Sequence, residues 1–204
     1  MNSIPMPPRI AKLPRDARGY PVPYIVMRDK TGKPLFAAND ADLVHRCLKQ
    51  KLCPTCGEKL GKEKWFIGGP NSAFHPNGAY IDSAEHYECA TYSLQACPHL
   101  SRPDHQQYLS EKVIAKMQTR VDEAQLLIDP TMTPGRPDVF VLVMSFGQQF
   151  KPAPIGQNPY VVPLRPYHAV EFWQHGERLA FADGLEIVRK IRGLDLSALR
   201  LLVP

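Results

Sequence analysis

Two closely spaced pairs of metal-ligating residues constrain this chain more than any other feature of its sequence. Cys53 and Cys56 form a CxxC pair followed by Gly57, and His86 and Cys89 follow later with HxxC spacing. Two thiolates three positions apart reach one tetrahedral ion across a tight turn, and soft sulfur donors favour zinc. Helical residues at i and i+3 lie roughly 5–6 Å apart on one face, close enough to share that ion. These four residues therefore predict one structural Zn²⁺ site.

The local pattern around the two pairs predicts a treble-clef-type zinc module over about residues 50–100. Short strands are expected at 65–67 and 79–81, separated by a turn-rich stretch at 68–78. A helix is expected at 84–96, capped by Asp82 or Ser83, with both later ligands in its first turn. A redox CxxC is disfavoured, because such a motif normally opens a helix within a βαβ pattern. The cysteine number is five, which argues against a disulfide scaffold.

The whole chain of 204 residues predicts an α+β protein with this module embedded in it. We expect an extended basic arm at 1–19, a zinc-binding α+β domain at 20–128 and a C-terminal α+β region at 137–204. Apolar periodicity and turn signals predict the remaining elements. The predicted strands are 24–28, 35–37, 139–145, 160–164, 168–174 and 178–181, and the predicted helices are 41–51, 104–127 and 184–191.

Other readings of the site compete with the four-residue set. Cys97 or His99 can replace the fourth ligand only if the preceding helix breaks early. The HxE sequence that ends at Glu88 resembles half of a zinc deaminase signature, but the CxxC precedes it, which is the wrong order. His75 and Asn77 lie where an HNH-type nuclease would carry its chemistry, although the rest of that motif is lacking. We therefore predict no catalytic residue.

Charge is distributed unevenly along the chain. The net charge is +5, and residues 1–64 hold 13 Lys/Arg against 6 Asp/Glu. A basic N-terminal third attracts phosphates, so nucleic acid is one expected partner, although no dense run of basic and aromatic residues strengthens this. No segment approaches the roughly 20 apolar residues of a membrane span, and the N-terminus lacks a signal peptide. We expect a soluble, cytoplasmic protein without a small-molecule cofactor.

The segment 18–23, with the sequence RGYPVP, has two interpretations. It can be a recognition element in which Arg15, Arg18 and Tyr20 contact a partner. Alternatively it is a rigid leader to the first strand, extended because each proline disfavours helix in the residue before it, with Tyr20 packed on the core.

These residues together resemble a family of uncharacterised bacterial and phage proteins. The resemblance is carried by 13–16, 18–23, the CxxC with Gly57, Gly69-Pro70, 83–86, Cys89-Ala90 and 96–98. Late in the chain Trp173, Gly176, Arg178, Gly184 and Ile187 are similar too. The chain departs from the family inside the CxxC, at Pro54 and Thr55, and at Asn71, where members tend to carry a cysteine. The resemblance implies a zinc site and no activity.

Three functions are compatible with these observations. The first is a non-enzymatic zinc-binding module that contacts nucleic acid through its basic N-terminal third. The second is a protein-interaction or regulatory factor, of the kind that phages encode. The third is a metal-dependent hydrolase or nuclease, which needs an open metal position or a second site near His75 and Asn77.

Overall fold

The computed structural model describes residues 4–102, 137–152 and 159–199. Helices and antiparallel strands both occur, so the chain is an α+β protein. The helices are α1 Pro8–Ala11, α2 Ala41–Gln50, α3 Pro70–Phe74, α4 Tyr87–Ala96, α5 Pro98–Ser101 and α6 Phe181–Arg189, with a 3₁₀ turn at Leu196–Leu199. The strands are β1 Val26–Arg28, β2 Pro34–Asn39, β3 Lys64–Gly68, β4 Phe140–Ser145, β5 Gln148–Lys151, β6 Tyr160–Pro163, β7 Ala169–Gln174 and β8 Glu177–Arg178.

A four-stranded antiparallel sheet with the order β3-β4-β7-β8 forms the centre of the fold. The pair β3–β4 joins the two parts of the chain, with Phe66 opposite Val143. The parts of the chain on either side of residue 137 therefore share one sheet, because β4, the first strand beyond it, pairs directly with β3. Two further antiparallel pairs, β1–β2 and β5–β6, flank this sheet.

Both faces of the central sheet are covered by helices, and β4 accounts for this directly. Side chains alternate across a strand, so the continuous apolar run of β4 supplies two cores. Val141 and Val143 pack with buried residues of α2, α3 and α6. Phe140, Leu142 and Met144 pack on the other face with residues of α4. Helix α4, which follows the second pair of candidate ligands, is thereby fixed to the sheet.

The N-terminal segment differs from the extended arm that we predicted. Residues Pro8–Ala11 form one helical turn, with proline at its first position, where a missing N–H costs nothing. Ile10 is only 1% exposed and packs against Cys53 and Cys89. The burial of this isoleucine explains the correction, because an extended solvated arm would leave it in water.

The first hairpin and its helix follow the sequence expectation closely. The strands β1 and β2 pair across the turn at 29–33, and α2 begins where predicted. The Asp40 carboxylate caps α2 by accepting hydrogen bonds from the backbone N–H groups of Asp42 and Leu43. Val44, Cys47 and Leu48 form its buried face.

Two expectations between the candidate ligands are wrong. Residues 79–81 are not a strand; Tyr80 forms only an isolated bridge to Val161 of β6. The helix predicted from 84 begins instead at Tyr87, because Glu85 exchanges two backbone hydrogen bonds with Trp65 of β3. The turn-rich stretch at 68–78 also contains α3, a short helix that was not predicted.

The C-terminal part contains the predicted strands and helix with shifted bounds, together with one strand, β5, that was not predicted. The expected turn at 175–177 is present, with positive φ at His175 and Gly176. Helix α6 starts at Phe181 rather than at 184, and Gly184 lies against Phe172, so that an added Cβ would come within 2.2 Å of that ring. The helix predicted at 104–127 lies outside the described residues. No helix in the described ranges combines the length and apolar character that crossing a membrane requires.

Candidate metal centre

The four residues predicted as ligands come together at one point. The sulfur atoms of the three cysteines and a ring nitrogen of His86 all lie within 4.8 Å of one another. Cys53 and Cys89 are fully buried, whereas Cys56 and His86 are partly exposed. In the described part of the chain this is the one such group of three or more His, Cys, Asp or Glu side chains.

A small hairpin presents the first pair of cysteines. Leu52 and Lys59 form an antiparallel bridge, and the turn between them is closed by a hydrogen bond from Gly57 N–H to the Cys53 carbonyl at 2.8 Å. Gly57 has a φ of 75°, which favours glycine, and an added Cβ would lie 2.7 Å from the ring of Tyr24. Backbone conformation and close packing therefore both require glycine after the CxxC.

The second pair lies at the start of α4 and is positioned by the sheet. Trp65 and Glu85 form a bridge that brings the chain beside β3 immediately before His86. His86 is the N-cap of α4, with extended backbone, and Cys89 lies in the first turn. The prediction that both residues lie inside the helix is thus corrected for His86, because the bridge at Glu85 delays the helix start.

The distances between donor atoms fit a zinc ion. Zn–S bonds of about 2.3 Å and Zn–N bonds of about 2.0–2.1 Å at the tetrahedral angle place sulfur and nitrogen about 3.5 Å apart. His86 Nδ1 lies 3.4 Å from Cys56 Sγ and 3.9 Å from Cys89 Sγ. A site made of three soft sulfurs and one imidazole binds zinc in preference to hard cations such as Mg²⁺. These residues would hold the ion as a closed set.

A hydrogen bond to the backbone assigns the role of each nitrogen of His86. Nε2 lies 3.1 Å from the carbonyl oxygen of Lys59. A carbonyl oxygen only accepts, so Nε2 carries the proton and donates it, and Nδ1 presents its lone pair toward the sulfurs. This is the outer partner that metal-binding histidines usually have, and it ties the imidazole to the hairpin of the first pair.

The three thiols perturb one another strongly. Hydrogen bonds from Cys53 and then Cys89 lower the pKa of Cys56 to about 2. Burial raises the pKa of Cys53 well above its usual value, and hydrogen bonding with Cys53 raises the pKa of Cys89 in the same direction. Ionisation is therefore favoured at Cys56 over the other two thiols, and Cys56 is also the most accessible of the three sulfurs to an incoming cation.

The N-terminal helix closes the buried side of the cluster. Ile10 packs on Cys53 and Cys89, and partly buried residues surround this contact. Arg9 forms ion pairs with Glu58 in the hairpin and with Glu88 on α4, the latter at 2.8 Å. Glu88 is thus an ion-pair partner of Arg9. This contact of residues 8–11 was not predicted, and only the apolar Ile10 in a proline-rich basic segment could have indicated it.

The residues that competed for the metal lie elsewhere. Cys97 and His99 follow the other end of α4, a helix about 15 Å long at 1.5 Å per residue, and neither joins the cluster. Cys47 is buried on α2, as expected, and burial raises its pKa to about 11. His75 accepts a hydrogen bond at Nδ1 from the backbone N–H of Asn77, which makes this pair a local turn.

The candidate partner-binding residues lie in a tight loop outside the metal cluster. Arg15 and Pro21 form a bridge, and the Asp16 carboxylate accepts hydrogen bonds from the backbone N–H groups of Arg18 and Tyr20. Arg18 also pairs with Asp16 through Nε at 2.8 Å. Tyr20 is 46% exposed, so the alternative in which it packs on the core is wrong.

Comparisons with protein-family models, with curated proteins and with solved structures found no match to this chain. The resemblance to uncharacterised bacterial and phage proteins therefore stays a prediction.

Proposed function

We propose that the chain is a non-enzymatic, zinc-binding module of treble-clef type that contacts nucleic acid in a reducing, cytoplasmic environment. The proposal that zinc is the ion rests on the Cys₃His donor set and its 3.4 and 3.9 Å sulfur–nitrogen distances. Four protein ligands fill a tetrahedral site, whereas catalytic zinc keeps one position open for water or substrate. The order of CxxC hairpin, β3 and α4 supports the treble-clef assignment.

The surface that supports nucleic-acid contact is a lysine face, which we define as Lys51, Lys62 and Lys64 with Phe146 and His168. The Lys62 ammonium lies 4.8 Å from the centre of the Phe146 ring, and that ring packs on His168 with centroids 4.2 Å apart. Phe146 is 41% exposed. Single-stranded nucleic acids bind surfaces of this composition, on which bases stack on aromatic rings and cations track the phosphates.

Charge accumulates on the lysine face. The Lys64 ammonium donates to the carbonyl oxygens of Phe146 and Lys62, at 3.2 and 3.3 Å. Burial and then repulsion from Lys51 lower the pKa of Lys64. By contrast, Arg9 of the N-terminal helix is already paired with two carboxylates. Within the basic N-terminal third, the lysines are therefore better placed than Arg9 to meet phosphate.

The metal centre supports this face through a short stretch of chain. The segment from Gly57 to Lys64 leads from the CxxC turn into β3 and carries Lys62. Its conformation is tied to the cluster because Lys59 accepts the hydrogen bond from His86. A bound ion would thus fix the position of the lysines without taking part in any reaction.

Salt-dependent binding of single-stranded DNA tests this proposal. Fluorescence anisotropy with an oligothymidylate of about 12 nucleotides should show weaker binding at higher salt, with a log–log slope of roughly −0.7 for each phosphate neutralised. The double variant Lys62→Gln/Lys64→Gln should lower the magnitude of that slope by about 1.4. Phe146→Ala should weaken binding by about 1–3 kcal/mol and leave the slope unchanged.

The matched control removes two lysines elsewhere. Lys30→Gln/Lys33→Gln changes the same charge in the exposed turn between β1 and β2. Equal losses of DNA affinity in both double variants would mean that binding depends only on net charge, and they would refute a defined lysine face. Binding that is insensitive to salt would favour the protein-interaction alternative.

A further inference from the structure

A cavity of about 520 Å³ lies between the N-terminal loop, β2 and the helices α4 and α5. This volume falls in the range of about 300–1,000 Å³ that is typical of sites for organic ligands. None of the four candidate metal ligands lines the cavity, and it shares no residue with the lysine face. It is therefore a separate site that neither the metal centre nor the proposed nucleic-acid contact explains.

One side of the cavity is rich in hydrogen-bond acceptors. Asp82 and Glu85 both line it, together with Asn39 and Thr55. Asn39 Nδ2 donates to Oδ1 of Asp82 at 3.3 Å, and the Thr55 hydroxyl donates to Oε2 of Glu85. Each of these two side chains accepts one hydrogen bond from a described residue, and the remaining lone pairs on its two oxygens can accept from a ligand. A ligand suited to this side carries paired N–H donors.

A positively charged side chain also lines the cavity. Arg18 lines the cavity, and its guanidinium carbon lies 5.2 Å from the ring centre of Tyr20 and 5.6 Å from that of Phe36. Arg18 pairs with Asp16 through Nε, so its two terminal nitrogens can donate to an anion. The guanidinium covers part of both rings, but Tyr20 and Phe36 are 46% and 39% exposed, so each ring keeps open surface on which a planar group can stack.

We propose that this cavity binds a guanine nucleotide. The Watson–Crick edge of guanine presents two adjacent donors, N1–H and N2–H, which match a carboxylate such as Asp82. The aromatic rings accept the planar base, and Arg18 meets the phosphate. Adenine presents one donor and one acceptor on the same edge, so it would place a ring nitrogen against a carboxylate oxygen. A guanidinium ligand would satisfy Asp82 and Glu85 but would bring a second cation toward Arg18.

Guanine can reach the site from a free nucleotide or from a single strand. The closing experiment uses the zinc-loaded full chain and isothermal titration calorimetry with GMP, AMP and guanosine, and separately with an oligouridylate that carries one guanine. GMP should bind at least about tenfold more tightly than AMP, the discrimination expected of a good bidentate pair. Tighter binding of the guanine-containing oligonucleotide than of GMP would show that the ligand is a single strand, and the cavity would still be a guanine site.

Two variants test the assigned contacts. Asp82→Asn should abolish the preference of GMP over AMP, whereas Asp183→Asn, an exposed aspartate on α6, should leave it unchanged. Arg18→Met should weaken GMP but not guanosine, because only the nucleotide carries the phosphate. GMP should also slow alkylation of Cys97, which lines the cavity, as read by mass spectrometry.

Several results would overturn the assignment. Equal affinity for GMP and AMP, no binding of any guanine ligand, or an unchanged preference in Asp82→Asn would each reject a guanine site. Tighter binding of arginine amide than of GMP would show that the acceptor side takes an organic cation instead.

Loss of DNA binding in the Lys62→Gln/Lys64→Gln variant with GMP binding intact would show that the two sites are independent.

Discussion

Replacing Ile10 by alanine tests whether the N-terminal helix closes the metal centre. Ile10 is 1% exposed and packs on Cys53 and Cys89, in a cluster whose other members are only partly buried. Truncating a buried isoleucine to alanine costs about 2–5 kcal/mol, and the cost is smaller where neighbours can relax. We therefore expect about 2–3 kcal/mol of lost stability.

The assay is thermal unfolding of the zinc-loaded protein followed by circular dichroism. For chains of this size each kcal/mol shifts the melting temperature by about 2–4 °C, so Ile10→Ala should lower it by about 4–12 °C. Ile81→Ala is the matched control, because Ile81 is 54% exposed and the same truncation there should change stability by less than about 0.5 kcal/mol.

A second measurement separates cover of the metal centre from general stability. Release of zinc to a chromogenic chelator should be faster in Ile10→Ala than in the parent, because water and chelator then reach the Cys53 and Cys89 sulfurs. Equal melting temperatures for the two isoleucine variants, together with an unchanged rate of zinc release, would refute the packing of α1 on the metal centre. The extended arm that we predicted would then be the better description of this segment.

Three further perturbations test other parts of the structure. Chelation of the metal should speed amide hydrogen exchange in residues 52–60 and at the start of α4 while β4 stays protected, and uniform acceleration would contradict this local role. Gly57→Ala should lower the free energy of unfolding by about 1–3 kcal/mol in chemical denaturation, because φ is positive and Tyr24 lies 2.7 Å from the added Cβ. The control Gly61→Ala, where the added Cβ meets open space, should be near neutral. Glu171→Gln should cost about 1–3 kcal/mol, because the carboxylate accepts hydrogen bonds from Tyr87 and Trp173 and one donor would then face an amide N–H. The exposed control Glu186→Gln should cost less than about 0.5 kcal/mol, and equal losses would refute the role of burial.

The sequence was most informative where one local rule determines the structure. The CxxC and HxxC spacings identified the four clustered residues because each pair is local and tetrahedral metal chemistry permits few spacings. A capping residue at Asn39 or Asp40 predicted the start of α2, and the continuous apolar run at 139–145 predicted a buried strand. In each case the signal and the structural consequence lie within a few residues of each other.

The remaining features depend on contacts between distant residues. The start of α4 is displaced because Glu85 pairs with Trp65, and the strand expected at 79–81 is reduced to a bridge because Tyr80 meets Val161. Neither partner can be read from local periodicity. The lysine face likewise joins Lys62 to Phe146 across the sheet pairing of β3 with β4, a register that the sequence alone does not determine.

Metal content with ligand geometry tests the central claim most directly. Elemental analysis and X-ray absorption on protein purified without a metal-binding tag should show one zinc per chain, bound by three sulfurs and one nitrogen with no oxygen. Such a result would support a closed structural site at Cys53, Cys56, His86 and Cys89. A zinc with two sulfurs, one nitrogen and a water-derived oxygen would open the site to catalysis, and protein without zinc would contradict the account.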